Sequence, residues 1–284
     1  MLPVWLGSIP AFKGKGRLTL LADKLFSDYD DHDSYEVVGT LNDGVPFNFD
    51  LRPWGQKFAY YYRQWEKDYV TALRKIYCGG IFLDVGSSLG LYVVCMGDVV
   101  RRMNGSIISV EPVPFNLERQ KKNVALNGLD DLVSYVQCAL GKERMFVRVK
   151  TDPLGADNNA FIADQGDLEI EVRALDDLVA ENNWGRIGLV KIDVEGYEPM
   201  VIEGARITIE RDRPVIFGEF CRERMDLNGF SMDDSWGLLV RELGYHCYWF
   251  HPRYRRFHRI ESSGSLENLL FMPEETLADA NLTE

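Results

Sequence analysis

The chain has 284 residues, of which 46% are hydrophobic and 27% charged, and a net charge of −12. These values fit a folding chain long enough for one sizeable α/β domain, or a domain with an appendage, and not a disordered polymer. The acidic balance argues against a general nucleic-acid binder, which carries a basic excess to displace counterions.

The five cysteines (78, 95, 138, 221 and 247) contain no Cys-x-x-Cys pair and mostly lie among apolar neighbours, the pattern of buried, reduced core thiols. Met1 to Phe12 is apolar but interrupted by Pro3 and Pro10, and the basic residues follow it, the reverse of a signal peptide. No apolar run approaches the roughly 18 residues that cross a bilayer. A cytoplasmic enzyme is the plain expectation.

In chain order, residues 1–65 read as an N-terminal extension and 66–284 as the main domain. Tyr35–Leu41 and Val45–Leu51 alternate as strands around Asn42-Asp43-Gly44, a hairpin turn. Phe58, Tyr61, Tyr62, Trp65, Tyr69, Leu73 and Ile76 recur at helical spacing and predict one helix over 56–77. Strands are then expected at 81–85, 106–111, 132–138, 143–150, 168–173, 188–194, 213–220, 245–250 and 268–272. Helices are expected at 90–103, 115–126, 174–182, 197–210 and 232–243, with a polar linker after 220. Such alternation over about 140 residues means βαβ units and a mostly parallel sheet, with ligands beyond the carboxyl ends of its strands.

Those ends carry the candidate chemistry. Asp84-Val-Gly86-x-x-x-Gly90 closes an apolar strand and opens a helix, so glycines allow close backbone approach and the helix offers unpaired N–H groups. Alone it reads equally as a structural turn. Glu111, followed by Pro112, stands at the next strand end, where a carboxylate can accept both ribose hydroxyls. Alone it reads equally as a solvated glutamate; together the two features favour an adenosine-containing ligand. In Lys191-Ile-Asp193-Val-Glu195-Gly196-Tyr-Glu198 the charges alternate, pointing to one face or lining the strand's end. Charges there are costly unless paired or functional. Glu219 ends the neighbouring strand. Converging carboxylates raise one another's pKa to make a general base, or Asp193 and Glu219 share a divalent cation.

Phe82-Leu-Asp84-Val-Gly86-Ser-Ser-Leu-Gly90, Val110-Glu111-Pro112-Val-Pro114, Leu175-Asp176-Asp177-Leu and the Lys191–Glu198 block together resemble the FkbM family of S-adenosylmethionine-dependent methyltransferases, over about residues 66–272. Glu219 and Asn268-Leu-Leu-Phe271 also fit. One departure is Gly86-Ser87-Ser88-Leu89-Gly90, where the family usually has Gly-Ala-Asn-Ile-Gly; Ser88 keeps hydrogen-bonding capacity. The resemblance implies a class I, Rossmann-like methyltransferase fold: a seven-stranded, mostly parallel sheet with helices on both faces and its last strand antiparallel. It implies S-adenosyl-L-methionine as cofactor, its methionine part on Asp84, Gly86, Ser88 and Gly90, its ribose on Glu111 and Pro112, and its adenine against the 137–139 segment with Cys138 and Ala139. Asp193, Glu195 and Glu219 would line the methyl-transfer site, Asp193 serving as base or metal ligand and Lys191 balancing charge.

The implied acceptor is a hydroxyl of a sugar, glycan, glycolipid or polyketide, with no nucleic-acid partner, no membrane span, and a homo-oligomer as one option. Acceptor contacts are sought in Trp54, Tyr60, Tyr61, Tyr62 and Trp65, which otherwise pack a helix on the sheet. The basic, aromatic stretch from His246 to Arg259 could hold an anionic group or simply face water. A dehydrogenase would need Gly-x-Gly-x-x-Gly, which is absent. A nucleic-acid methyltransferase would want an Asn-Pro-Pro-Tyr-type motif and a basic charge; a non-catalytic scaffold would not need acidic residues at every strand end.

Overall fold

The computed structural model describes residues 36–151, 160–162, 165–251, 256–262, 264 and 266–276. Expectations for Met1–Phe12, and for Arg253 and Arg255 in the basic stretch, lie outside these residues.

The first hairpin forms as read. β1 (Glu36–Leu41) pairs antiparallel with β2 (Val45–Asp50), and Asn42, Asp43 and Gly44 turn the chain at positive φ of 33°, 65° and 96°. The expected 56–77 helix is instead two helices, α1 (Trp54–Tyr62) and α2 (Lys67–Ile76), with Arg63 and Glu66 in left-handed backbone between them. The hairpin turn fixes the break. Asn42 N–H donates to the Arg63 carbonyl at 3.1 Å, and its side chain accepts from Trp65 N–H at 3.0 Å and donates to Trp65 O at 2.5 Å. The aromatic spacing continues across the break because both helices bury residues in one apolar cluster, Tyr60 and Tyr61 from α1 and Val70, Leu73 and Ile76 from α2.

The alternation then runs β3 (Ile81–Val85), α3 (Leu91–Arg102), β4 (Ser106–Val110), α4 (Pro114–Leu126) and β5 (Val133–Val136). The chain next leaves the main sheet. β6 (Ala139–Leu140), β7 (Met145–Thr151), β8 (Ala160–Ile162) and β9 (Leu168–Arg173) make a separate four-stranded sheet in the order β6-β9-β7-β8. It returns through α5 (Leu175–Asn182), β10 (Ile187–Ile192), α6 (Glu198–Glu203), α7 (Arg206–Asp212) and β11 (Val215–Glu219). The segment read as a polar linker holds a short helix, α8 (Arg222–Leu227). After it come α9 (Met232–Trp236) with a π-helical continuation over Gly237–Glu242, β12 (Tyr245–His251), β13 (Arg256–Ile260) and β14 (Asn268–Pro273).

The expected single helix over 197–210 breaks at Gly204, whose added Cβ would lie 2.0 Å from the Gly141 carbonyl oxygen. Asp176 caps the second piece, its two carboxylate oxygens accepting from Ile207 and Thr208 N–H at 2.9 and 2.8 Å. Leu175-Asp176-Asp177-Leu is therefore a brace for the helix pair.

The main sheet has the order β13-β12-β14-β11-β10-β3-β4-β5. Strands β5, β4, β3, β10 and β11 are mutually parallel, and β14 inserts antiparallel between β11 and β12. This is the class I methyltransferase arrangement, with one correction: β13 adds an eighth strand at the edge, paired antiparallel with β12. Alternate residues serve opposite faces. Phe82, Ile107, Leu189 and Phe217 join the cluster under α1, α2 and α3, while Leu83, Ile108, Val190 and Ile216 join the cluster on the other face. The hairpin shares the first cluster through Phe47 and Phe49. Asp50, 1% exposed, also pairs there with Arg119 of α4 at 3.3 Å and with Arg52 at 2.6 Å. The described cysteines are all free. Among the described residues no helix is long and apolar enough to cross a membrane.

Candidate active site

Sheet register brings the charged residues together. Lys191, the penultimate residue of β10, stands opposite Asp84 of β3 on one side and Phe217 of β11 on the other. Its ammonium donates to the Gly86 carbonyl at 3.2 Å, pairs with Asp193 at 3.3 Å and Asp84 at 3.6 Å, and lies 5.3 Å from the Tyr92 ring centroid. Burial works against the charged form, but Asp193, Asp84 and Glu66 outweigh it and hold the Lys191 pKa above its ordinary value. Asp84 is fully buried and its carboxylate oxygens lack hydrogen-bond partners. Burial lifts it to about 6 against the pull of Lys191.

Glu219 ends β11 and makes no ion pair among the described residues. Burial first, then Asp193 and Glu66, push its carboxyl up to about 7, with Lys191 opposing. Asp193 is the more open member, with 37% of its side chain exposed. Glu66 completes the group and is the residue that sequence reasoning missed. It sits in the left-handed break before α2, beside the Tyr92 hydroxyl, and burial raises its carboxyl against the influence of Tyr92 and Lys191. No local pattern marks it, because the break is imposed from Asn42.

Glu195 departs from the expected alternation. β10 ends at Ile192, the chain turns, and Glu195 adopts φ 60° and pairs with Arg224 of α8. Glu198, fully buried, accepts the N–H groups of Val194 and Gly196 at 3.0 and 3.2 Å, and burial pushes it up to about 7 against those bonds. It shapes the turn that presents Asp193.

The glycine turn is held from within the protein. Gly86, at φ 71°, has no room for a Cβ, which would lie 1.9 Å from the Asp193 carbonyl oxygen; at Gly90, φ 82°, it would meet the Gln120 side chain at 2.6 Å. Gly86 and Ser87 N–H donate to the Val110 carbonyl, and Gly90 N–H to Ser87 O. Ser88 N–H donates to Glu111 at 2.8 Å; Val113 N–H and the Asn116 amide donate to the other Glu111 oxygen at 3.0 and 3.2 Å. Burial raises the Glu111 carboxyl in spite of these bonds. Pro112 follows it, half-buried. Behind the turn the Ser87 and Ser109 hydroxyls are 2.7 Å apart, and Ser109 donates to Gln120 at 2.9 Å. Cys138 lies in the apolar core, burial pushing its thiol up to about 12, and Ala139 opens β6 beside Val172.

Tyr60 and Tyr61 are core residues, 6% and 0% exposed, and Tyr62 and Trp65 pack against that core. Trp54 is 45% exposed. Arg256 and Arg259 are exposed on the edge strand β13. Among the described residues no group of three His, Cys, Asp or Glu side chains is arranged to hold a metal ion.

Residues 84–247 match the family described as Methyltransferase FkbM domain. A protein of Beauveria bassiana (strain ARSEF 2860), named Methyltransferase 1, is 25% identical over 144 residues, 43% of this chain and 57% of that protein. The chain thus spans little more than half the length of this relative. A solved FkbM methyltransferase from Methylobacillus flagellatus KT superposes with a TM-score of 0.43 at 19% identity, covering 67% of this chain and 42% of that one. An O-methyltransferase from Bacillus cereus, solved in complex with SAH, gives 0.43 at 14% identity, covering 72% of this chain and 78% of that one. The family match begins at the buried Asp84, takes in the glycine turn, Glu111, the Lys191–Glu198 block and Glu219, and covers more than half of the chain; the chain belongs to the FkbM methyltransferase family.

Proposed function

We propose that the chain is an S-adenosylmethionine-dependent O-methyltransferase acting on a hydroxyl of a sugar, glycan, glycolipid or polyketide-type molecule. The observation that carries this reading is the glycine turn set against carboxylates at the ends of β3, β10 and β11, around one buried lysine. Asp84 suits the ammonium of a methionine moiety, being buried with no hydrogen bond to either oxygen. A carboxylate offers about four lone-pair positions. Three protein donors occupy Glu111, which leaves an acceptor position for a ribose hydroxyl. The first turn of α3 adds the N–H groups that no helix can satisfy internally.

When bound, S-adenosylmethionine supplies an electrophilic methyl group. Glu219 receives the acceptor's hydroxyl proton as charge develops on oxygen, since its carboxyl, near 7, is matched to neutral pH. Asp193, open to solvent and anchored by Lys191, orients the hydroxyl. Lys191, paired with both Asp84 and Asp193, offsets their charge.

The experiment is transfer of a radiolabelled methyl group from S-adenosylmethionine to a panel of glycosides, oligosaccharides and polyketide alcohols, with and without EDTA. Label recovered as a methyl ether is the expected result. Label recovered on nitrogen, carbon or nucleic acid would replace the O-methyl reading.

A further inference from the structure

Four polar side chains of α4 recur at the spacing that an amphipathic helix gives to its buried face. Asn116, Arg119, Gln120 and Asn123, at i, i+3, i+4 and i+7, are 4%, 3%, 0% and 1% exposed. Polar groups buried in this way cost stability unless they are hydrogen-bonded, and each of the four reaches a partner outside its helix. Asn116 donates to Glu111 at 3.2 Å, and Gln120 accepts from Ser109 at 2.9 Å. Arg119 reaches the other way, to Asp50 of the hairpin at 3.3 Å. Asn123 does both. Its Nδ2 donates to the Leu89 carbonyl at 2.9 Å, and its Oδ1 accepts from the Asn48 N–H of β2 at 2.7 Å.

We infer that Asn123 is a positioning residue of the methyl-donor site, and that through it the N-terminal hairpin holds the glycine turn in its binding shape. The inference rests on the methyl-transfer reading and extends its donor site to a segment outside the family match at 84–247. The turn needs such a hold. Gly86, Ser88 and Gly90 all stand at positive φ, 71°, 47° and 82°, and for Ser88 that conformation is unfavourable. Strained backbone persists where its surroundings over-determine it. The Val110 carbonyl takes the Gly86 and Ser87 N–H groups, Glu111 takes the Ser88 N–H, and Asn123 donates to the Leu89 carbonyl. The first two restraints come from the strand end beside the turn. The third comes from α4 and depends on the hairpin.

Both ends of the link fix one orientation of the Asn123 amide. A flip would set Nδ2 against the Asn48 N–H and Oδ1 against the Leu89 carbonyl. The hairpin is itself clamped to α4 on either side of Asn48. Glu36 of β1 pairs with Lys122 at 3.0 Å, the Asn127 amide donates to the Pro46 carbonyl at 2.8 Å, and Asp50 pairs with Arg119. Phe47 and Phe49, the neighbours of Asn48, are both fully buried. A donor seated on the turn and a hairpin seated on α4 therefore favour the same arrangement of one amide, and coupling of this kind is reciprocal.

The test is titration calorimetry of the full chain with S-adenosylhomocysteine, well below Tm. Asn48→Ala removes the side chain and its 2.8 Å bond to Glu36 but keeps the N–H. Asn48→Pro removes the N–H as well, and because that N–H is spent on Asn123 the β1–β2 ladder is spared. Asn48→Pro should bind about threefold to tenfold more weakly than Asn48→Ala, the worth of one hydrogen bond. Asn123→Asp, which keeps the acceptor and loses the donor, should weaken binding relative to the parent by a similar factor. A purely structural role would lower Tm and the active fraction but leave the Kd of the folded protein unchanged. If neither variant folds, amide exchange on the parent decides. Saturating ligand should slow the Asn48 N–H about threefold or more beyond any slowing of the β12–β13 ladder. Binding by Asn48→Pro as tight as by Asn48→Ala, or an Asn48 amide slowed no more than that ladder, overturns the inference while donor binding stands. No binding by the folded parent fails the methyl-transfer reading, and the inference with it.

Discussion

Glu219→Gln should lower kcat on the order of 100- to 10,000-fold, the usual worth of a positioned general base, while S-adenosylhomocysteine binds within a few fold of the parent. The reason is the environment of this carboxylate. Asp84 and Asp193 both share the Lys191 ammonium, whereas Glu219 makes no ion pair among the described residues and is pushed up to about 7 by burial and by Asp193 and Glu66. A base must be ionised to accept a proton, so kcat/KM in the parent should rise with pH through about 7 and then level. That limb belongs to the coupled cluster, with Glu219 as its main contributor. In Glu219→Gln the limb should disappear along with the rate. A variant that kept both the rate and the limb would move the base to Asp193 or Glu66.

The second large effect is on stability. Lys191→Met should destabilise the fold by about 3–5 kcal/mol, because it leaves carboxylates buried without their cation, and lower Tm by roughly 10 °C. The penalty should depend on pH, with a defined sign. In the parent, Asp84 is already raised to about 6, and without Lys191 it must rise further. A carboxylate whose folded pKa lies above its unfolded value binds more protons in the folded state, so stability falls as pH rises from the ordinary carboxylate range through the folded pKa. The gap between variant and parent should therefore widen from pH 5 to pH 8. Lys191→Met combined with Asp84→Asn should recover part of the loss, since the fully buried carboxylate is then gone. Denaturation followed by circular dichroism across that pH range gives the answer. A constant gap would mean that Lys191 contributes through packing alone.

What could be read from the sequence follows from where each constraint originates. Ile81–Val85 is buried at every position, so its continuous apolar run declares a central strand. Lys191 and Asp193 are conspicuous because charges interrupt or immediately follow such a strand. The 56–77 segment was legible as helical but not as broken, because its apolar spacing survives the break and the cause, Asn42, lies across a hairpin. Glu66 was hidden for the same reason. β13 escaped because its exposed Arg256 and Arg259 are the polar character expected of an edge strand. Glu195 was grouped with Asp193 on a strand periodicity that stops at Ile192. The glycines were correctly placed at a turn, but in this structure the close approaches that require them are to the Asp193 backbone and the Gln120 side chain.

The proposed function puts the methyl donor at the turn between Asp84 and Gly90, backed by Glu111. Titration calorimetry of the parent chain with S-adenosylhomocysteine tests it most directly, alongside Asp84→Asn and Glu111→Gln checked for folding by circular dichroism. Saturable binding by the parent, weakened in both variants while NAD gives no heat, is the predicted result. No binding by the folded parent, or binding indifferent to both substitutions, would contradict it.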